Sequence, residues 1–86
     1  MVGLKVDEAE CLYHIAIAHY RQDELDEALA FLRRAYDHFT ALPAETQEEL
    51  SDRIVAVLDD LVQVSEGLED FASADVYRQR RDDLNY

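Results

Sequence analysis

Three histidines, one cysteine and an excess of acids are the side chains through which this sequence could do chemistry. His14 follows Glu10 by one helical turn, a spacing that lets two side chains share a metal ion. No third ligand is placed by spacing, and Glu and His four apart on a helix also form an ordinary surface pair. Cys11 stands three residues before His14. A cysteine inside a helix, away from a glycine-rich loop or a helix N-terminus, is ordinarily a packed side chain and not a nucleophile. The acids of Glu48-Glu49, Asp59-Asp60, Glu69-Asp70 and Asp82-Asp83 are neighbours in sequence. Neighbours on a helix point in different directions, so these are solvated faces and not paired catalytic carboxylates. With two glycines in the chain, no phosphate-cradling loop can be built. The chemistry therefore reads as that of a non-enzyme with no cofactor and no metal; a metal-binding protein is the alternative kept beside it.

The elements that carry these residues must come from 86 residues, which is one domain at most. Apolar residues make up 49% of the chain, enough to build a core and to argue against disorder. The scarcity of glycine and proline disfavours sandwiches and barrels, which need many tight turns. Twenty acids against eight bases give a formal charge of -12, which repels phosphate backbones and anionic membrane surfaces. Nucleic acid and membrane are thus excluded as partners. Seven of the eight bases are arginine. That bias fits either a salt-adapted acidic surface or a GC-rich coding sequence. A single cysteine allows no internal disulfide, and Met1 to Asp7 shows no apolar leader, so a cytoplasmic location is expected.

Apolar periodicity predicts four helices. Met1 to Val6 read as a loose lead-in. The first helix starts at Asp7 and carries Ala9, Leu12, Ile15, Ala16 and His19 on its inner stripe. It ends near Gln22, and Asp23 is the expected N-cap of the next. The second helix carries Leu25, Ala28, Leu29, Leu32, Ala35, Tyr36 and Phe39 and stops before Pro43. Thr46 to Glu49 read as a capping box for the third helix. That helix carries Leu50, Ile54, Val57, Leu58, Leu61, Val62 and Ser65, and Gly67 is expected to end it in a left-handed conformation. The fourth begins near Asp70, with Phe71, Ala74, Tyr77 and Leu84 on its stripe.

Residues 9–36 match residues 55–82 at an offset of 46. Leu12 meets Leu58, Ile15 meets Leu61, Ala16 meets Val62, Leu25 meets Phe71, Ala28 meets Ala74 and Phe31 meets Tyr77. The first half, with Leu12, Ile15-Ala16, His19, Ala28, Leu32 and Ala35 at the signature slots, resembles a tetratricopeptide repeat. Leu12 and Ala16 stand where the family has Trp and Gly, and the offset exceeds the usual ~34 residues. The resemblance implies one all-α domain over residues 1–86: two antiparallel helical hairpins, four helices, a fragment of a right-handed solenoid. Its repeats would span about residues 7–41 and 44–84. Arg78, Arg81 and Asp82, in place of Leu32, Ala35 and Tyr36, would make the last helix a polar cap. A generic four-helix bundle is the competing architecture.

In that family the first helix of each hairpin lines a concave binding face. The resemblance puts Glu10, Tyr13, His14, Ile17, Tyr20 and Arg21 there, with Ala56, Asp59, Asp60, Gln63 and Glu66 from the second repeat. The expected partner-binding set is Tyr13, His14, Ile17, Tyr20, Arg21, Asp59, Asp60 and Gln63. Asp59 and Asp60 would repel a terminal carboxylate, so capture of carboxyl-terminal peptides is disfavoured. The expected function is a protein-protein interaction module that takes a basic or apolar peptide or helix. Self-association is the alternative, as a homodimer through an apolar patch of Tyr13, Ile17 and Tyr20.

Overall fold

The computed structural model describes residues 2–84 as five helices: α1 (Val2–Arg21), α2 (Leu25–Thr40), α3 (Ala44–Glu49), α4 (Ser51–Gly67) and α5 (Phe71–Leu84). No strand occurs among the described residues. The all-helical expectation holds, with one more helix than the four expected. α1 packs on α2, α4 on α5, and α2 on α4, while the short α3 rests against α4. The Cα radius of gyration, 12.4 Å, matches the ~12 Å of a compact domain of this length.

α1 begins at Val2, so the stretch expected to be a loose lead-in is helical where it is described; Met1 lies outside the described residues. The reason is tertiary. Val6 and Ala9 pack into the core, and that anchoring outweighs the roughly 1 kcal/mol that Gly3 costs in a helix.

Asp23 does not cap α2. It holds a left-handed backbone at φ 62°, with its N–H on the Tyr20 carbonyl at 3.0 Å and the Glu24 N–H on the His19 carbonyl at 2.9 Å. This is a Schellman closure of α1. Glu24 takes the N-cap position of α2 without a side-chain cap hydrogen bond, because its carboxylate lies against His19 Nδ1 at 3.1 Å.

The α4–α5 turn repeats the pattern. Glu69 has φ 62°; its N–H reaches the Glu66 carbonyl at 2.9 Å and the Asp70 N–H reaches the Ser65 carbonyl at 2.8 Å. Gly67, expected to be the left-handed residue, is the last residue of α4. Its hydrogen atom instead leaves room for a neighbour: a Cβ on Gly67 would lie 3.0 Å from Leu25 Cδ1, so the end of the leucine would have to shift.

Thr46 to Glu49 do not form the expected capping box. Pro43 sits at the N-cap with φ -55°, and α3 runs through Thr46. Proline presets the helical φ, so the helix nucleates before Thr46. The Gln47 side chain instead closes the end of α2, donating to the Thr40 and Leu42 carbonyls at 2.9 and 2.7 Å.

The core is Ala9, Ala16, Ala28, Leu32, Phe39, Leu42, Ile54, Val57, Leu58, Leu61 and Val64. Alanines at 16 and 28 let α1 and α2 approach closely, and both are wholly buried. Ile15, expected on the inner stripe, is 42% exposed, and Phe71 and Leu84 on α5 are also exposed.

Candidate functional site

Three side-chain pairs join α1 to α4. Glu10 forms an ion pair with Arg53. The Tyr13 hydroxyl donates to Asp60 Oδ2 at 2.6 Å, and the Tyr20 hydroxyl donates to Gln63 Oε1 at 3.4 Å. The numbers rise together on both helices, so α1 and α4 run parallel. Residues three and four apart on a helix share a face, which places Tyr13, Ile17 and Tyr20 on one edge of α1. The tyrosine rings pack against the core and Ile17 is half-buried.

At one end of this seam lies a cavity of about 270 Å³, lined by Glu10, Tyr13, His14, Phe39, Arg53, Ala56 and Val57. His14 is exposed at its mouth. Its floor is apolar and its rim carries an ion pair, a shape that suits an apolar side chain flanked by polar groups.

The Tyr13–Asp60 bond is partly dehydrated. Burial, and then the bond to Asp60, raise the Tyr13 hydroxyl above its ordinary range. Burial also raises the Asp60 carboxyl; the Tyr13 bond opposes this and the Asp59 charge adds to it. Each group disfavours its ionised form because little water reaches it.

Of the expected binding residues, the structure brings together Tyr13, Tyr20, Asp60 and Gln63, with Ile17 between the tyrosines. His14 joins them at the cavity mouth, and Arg21 is exposed at the end of α1. Asp59 turns away: its Oδ1 accepts from Arg81 Nη1 on α5 at 2.6 Å. One helical step separates Asp59 from Asp60 by about 100°, so the two cannot face one groove. The apolar patch expected to drive dimerisation is also drawn inward, since Tyr13 and Tyr20 pack on the core and bond to α4. Sequence reasoning missed Arg53, the one base on α4; its signal was a lone arginine in an acidic helix.

His19 stacks on Phe31 with ring centroids 5.4 Å apart and planes 10° from parallel, an aromatic role for an aromatic slot. Glu10 pairs with Arg53 and not with His14. No group of three or more His, Cys, Asp or Glu side chains converges to hold a metal among the described residues. No helix among them is long and apolar enough to cross a membrane. Comparison with family models, with curated proteins and with solved structures gives no match to this chain.

Proposed function

We propose that the chain is a protein-protein interaction module built of two tetratricopeptide-like hairpins, and that the α1–α4 seam receives a peptide or helix from a partner protein. The observation that carries this reading is the cavity beside the Tyr13–Asp60 bond. It is apolar within, ringed by polar groups, and bounded by two parallel helices. The repeated Schellman turns 46 residues apart support the hairpin architecture. The net charge of -12 favours a partner that brings basic residues around an apolar anchor. Tyr20 and Ile17 supply rigid contact area at low entropic cost, as anchor residues do.

The test is capture of partners on the immobilised chain from its source cells, with wild type, Ile17→Glu and His14→Glu side by side. A partner retained by wild type and lost on both variants supports the seam. A partner retained equally by all three overturns it. Light scattering at tens of micromolar, run in parallel, reads out self-association. A dimer of twice the 9.9 kDa chain that Ile17→Glu abolishes would turn the seam into a homotypic interface.

A further inference from the structure

The internal match gives each surface of α1 a counterpart on α4. Leu4, Cys11, Leu12 and Ile15 correspond, 46 residues on, to Leu50, Val57, Leu58 and Leu61. On α4, Val57, Leu58 and Leu61 are at most 1% exposed. On α1, Leu4 is 61% exposed, Ile15 is 42% exposed and Cys11 is exposed. α5 lies on α4 as α2 lies on α1, so that contact cannot account for the difference. What α4 has in addition is α2, which packs along it and sets Leu25 against Gly67, with the short α3 making a smaller contact. The uncovered face of α1 is therefore the one that, on α4, a helix like α2 covers. A groove of about 460 Å³ lies between it and α2, with Leu4, Cys11 and Leu12 in its wall and Asp7, Glu8, Arg34 and His38 at its rim.

We infer that this face is a second docking surface, distinct from the α1–α4 seam, and that its occupant is an amphipathic helix of a partner protein lying antiparallel to α1. Orientation follows from the covered counterpart: Leu25 opens α2 and meets the last residue of α4. Charge fixes the ends. The position equivalent to Gly67 is Arg21, which calls for an acid in the occupant's first turn, where the helix dipole also favours one. The position equivalent to Ile54 is Glu8, which His38 of α2 faces at 3.9 Å, and Asp7 beside it adds a second carboxylate that calls for a base in the last turn. Between them the occupant presents an apolar stripe to Leu4, Cys11 and Ile15. A second copy of this chain fits poorly. Its α5, the counterpart of α2, carries Asp75, Arg78 and Asp82 where α2 carries Leu29, Leu32 and Tyr36, and both copies carry the same charge of -12.

The probe is a fluorescent peptide copying residues 24–42 of this chain with Asp37→Lys. It has acids in its first turn, α2's apolar stripe and a base near its end. Titrated into the full chain and read by anisotropy, it should bind saturably. Ile15→Glu and Leu4→Glu, both at exposed positions, should each weaken binding at least tenfold while leaving the circular dichroism of the chain unchanged. Ile17→Glu should leave peptide affinity unchanged, which separates this face from the seam. No binding at millimolar peptide, or equal binding by wild type and Ile15→Glu, overturns the inference. A homodimer that dissociates on Ile15→Glu would assign the face to a second copy and overturn it as well.

Discussion

Asp23 and Glu69 hold the same left-handed backbone, φ 62° in each, at equivalent places in two turns 46 residues apart. The carbonyls that their own and the following N–H groups reach also match, one turn to the other. Neither residue is glycine, so both turns carry the steric penalty of a Cβ in that region, roughly 1 kcal/mol. Asp tolerates the conformation better than Glu because its short side chain can bond locally. Glu69→Gly should therefore stabilise the chain by about 0.5–1 kcal/mol and Asp23→Gly by less. Urea unfolding of the two variants checks the order. A loss of stability in both would mean that the turns are not held in this conformation in solution.

Ser65 is wholly buried in α4, and its hydroxyl has no hydrogen-bond partner among the described residues. A buried hydroxyl without a partner costs about 1 kcal/mol or more relative to its solvated state. Ser65→Ala removes that cost and improves helix propensity. It should raise the urea midpoint by an amount worth about 1 kcal/mol. A fall in the midpoint would show that the hydroxyl is in fact bonded.

The Tyr13–Asp60 pair sets part of the pH dependence. Burial raises the folded-state pKa of Asp60, so the folded chain binds its proton more readily than the unfolded chain does. Its contribution to stability is fully present below the unfolded value and is lost as pH rises through the folded value. Asp70 works in the opposite sense: hydrogen bonds from Ser73, side chain first and backbone N–H second, lower its pKa. Its contribution is present above the unfolded value and is lost as pH falls through the folded one. Stability should therefore decrease as pH rises from about 4, the ordinary carboxylate value, through the folded-state value of Asp60, and should also fall in stronger acid as Asp70 takes up its proton. Asp60→Asn keeps an acceptor for the Tyr13 hydroxyl and removes the buried charge. It should flatten that decrease on the alkaline side of the carboxylate range, measured by denaturant unfolding at each pH. An unchanged slope would assign the effect to the general negative charge.

Salt should stabilise the chain. Its exposed ion pairs, Arg78 with Glu66 and Asp75 and Arg81 with Asp59, each contribute little in water and weaken with screening. Against them stands the mutual repulsion of a surface with net charge -12, which the same screening relieves. Repulsion is the larger effect, so the melting temperature should rise between dilute buffer and molar sodium chloride. A flat or falling curve would show that the specific pairs dominate.

Helix content and the position of the turns were legible in the sequence. Spacing at three and four placed α2 within about two residues and the C-terminal end of α4, but not the break at Leu50 that separates α3 from α4, and the offset of 46 located two turns that adopt one geometry. The residue that takes the left-handed conformation was not legible. Gly67 was the natural choice, yet it lies in the helix where Leu25 needs room, and Glu69 makes the turn. Glycine is permissive in both uses, so its type alone cannot separate a backbone demand from a packing demand.

The sequence by itself determined that the chain is helical, acidic and internally repeated, because propensity, charge and periodicity are properties of the residues. The tertiary structure alone decided which side of α1 is covered. That helix carries apolar residues on more than one face: Leu4, Cys11 and Ile15 along one, Tyr13, Ile17 and Tyr20 along another. Periodicity favoured Ile15 as core and the tyrosines as a free patch. The structure reverses this, because α4 lies beside the tyrosines with Asp60 and Gln63 to accept their hydroxyls, while Ile15 is left 42% exposed among the described residues. Burial belongs to the neighbour as much as to the residue, and the neighbour here is supplied by a segment more than 40 residues away in the chain.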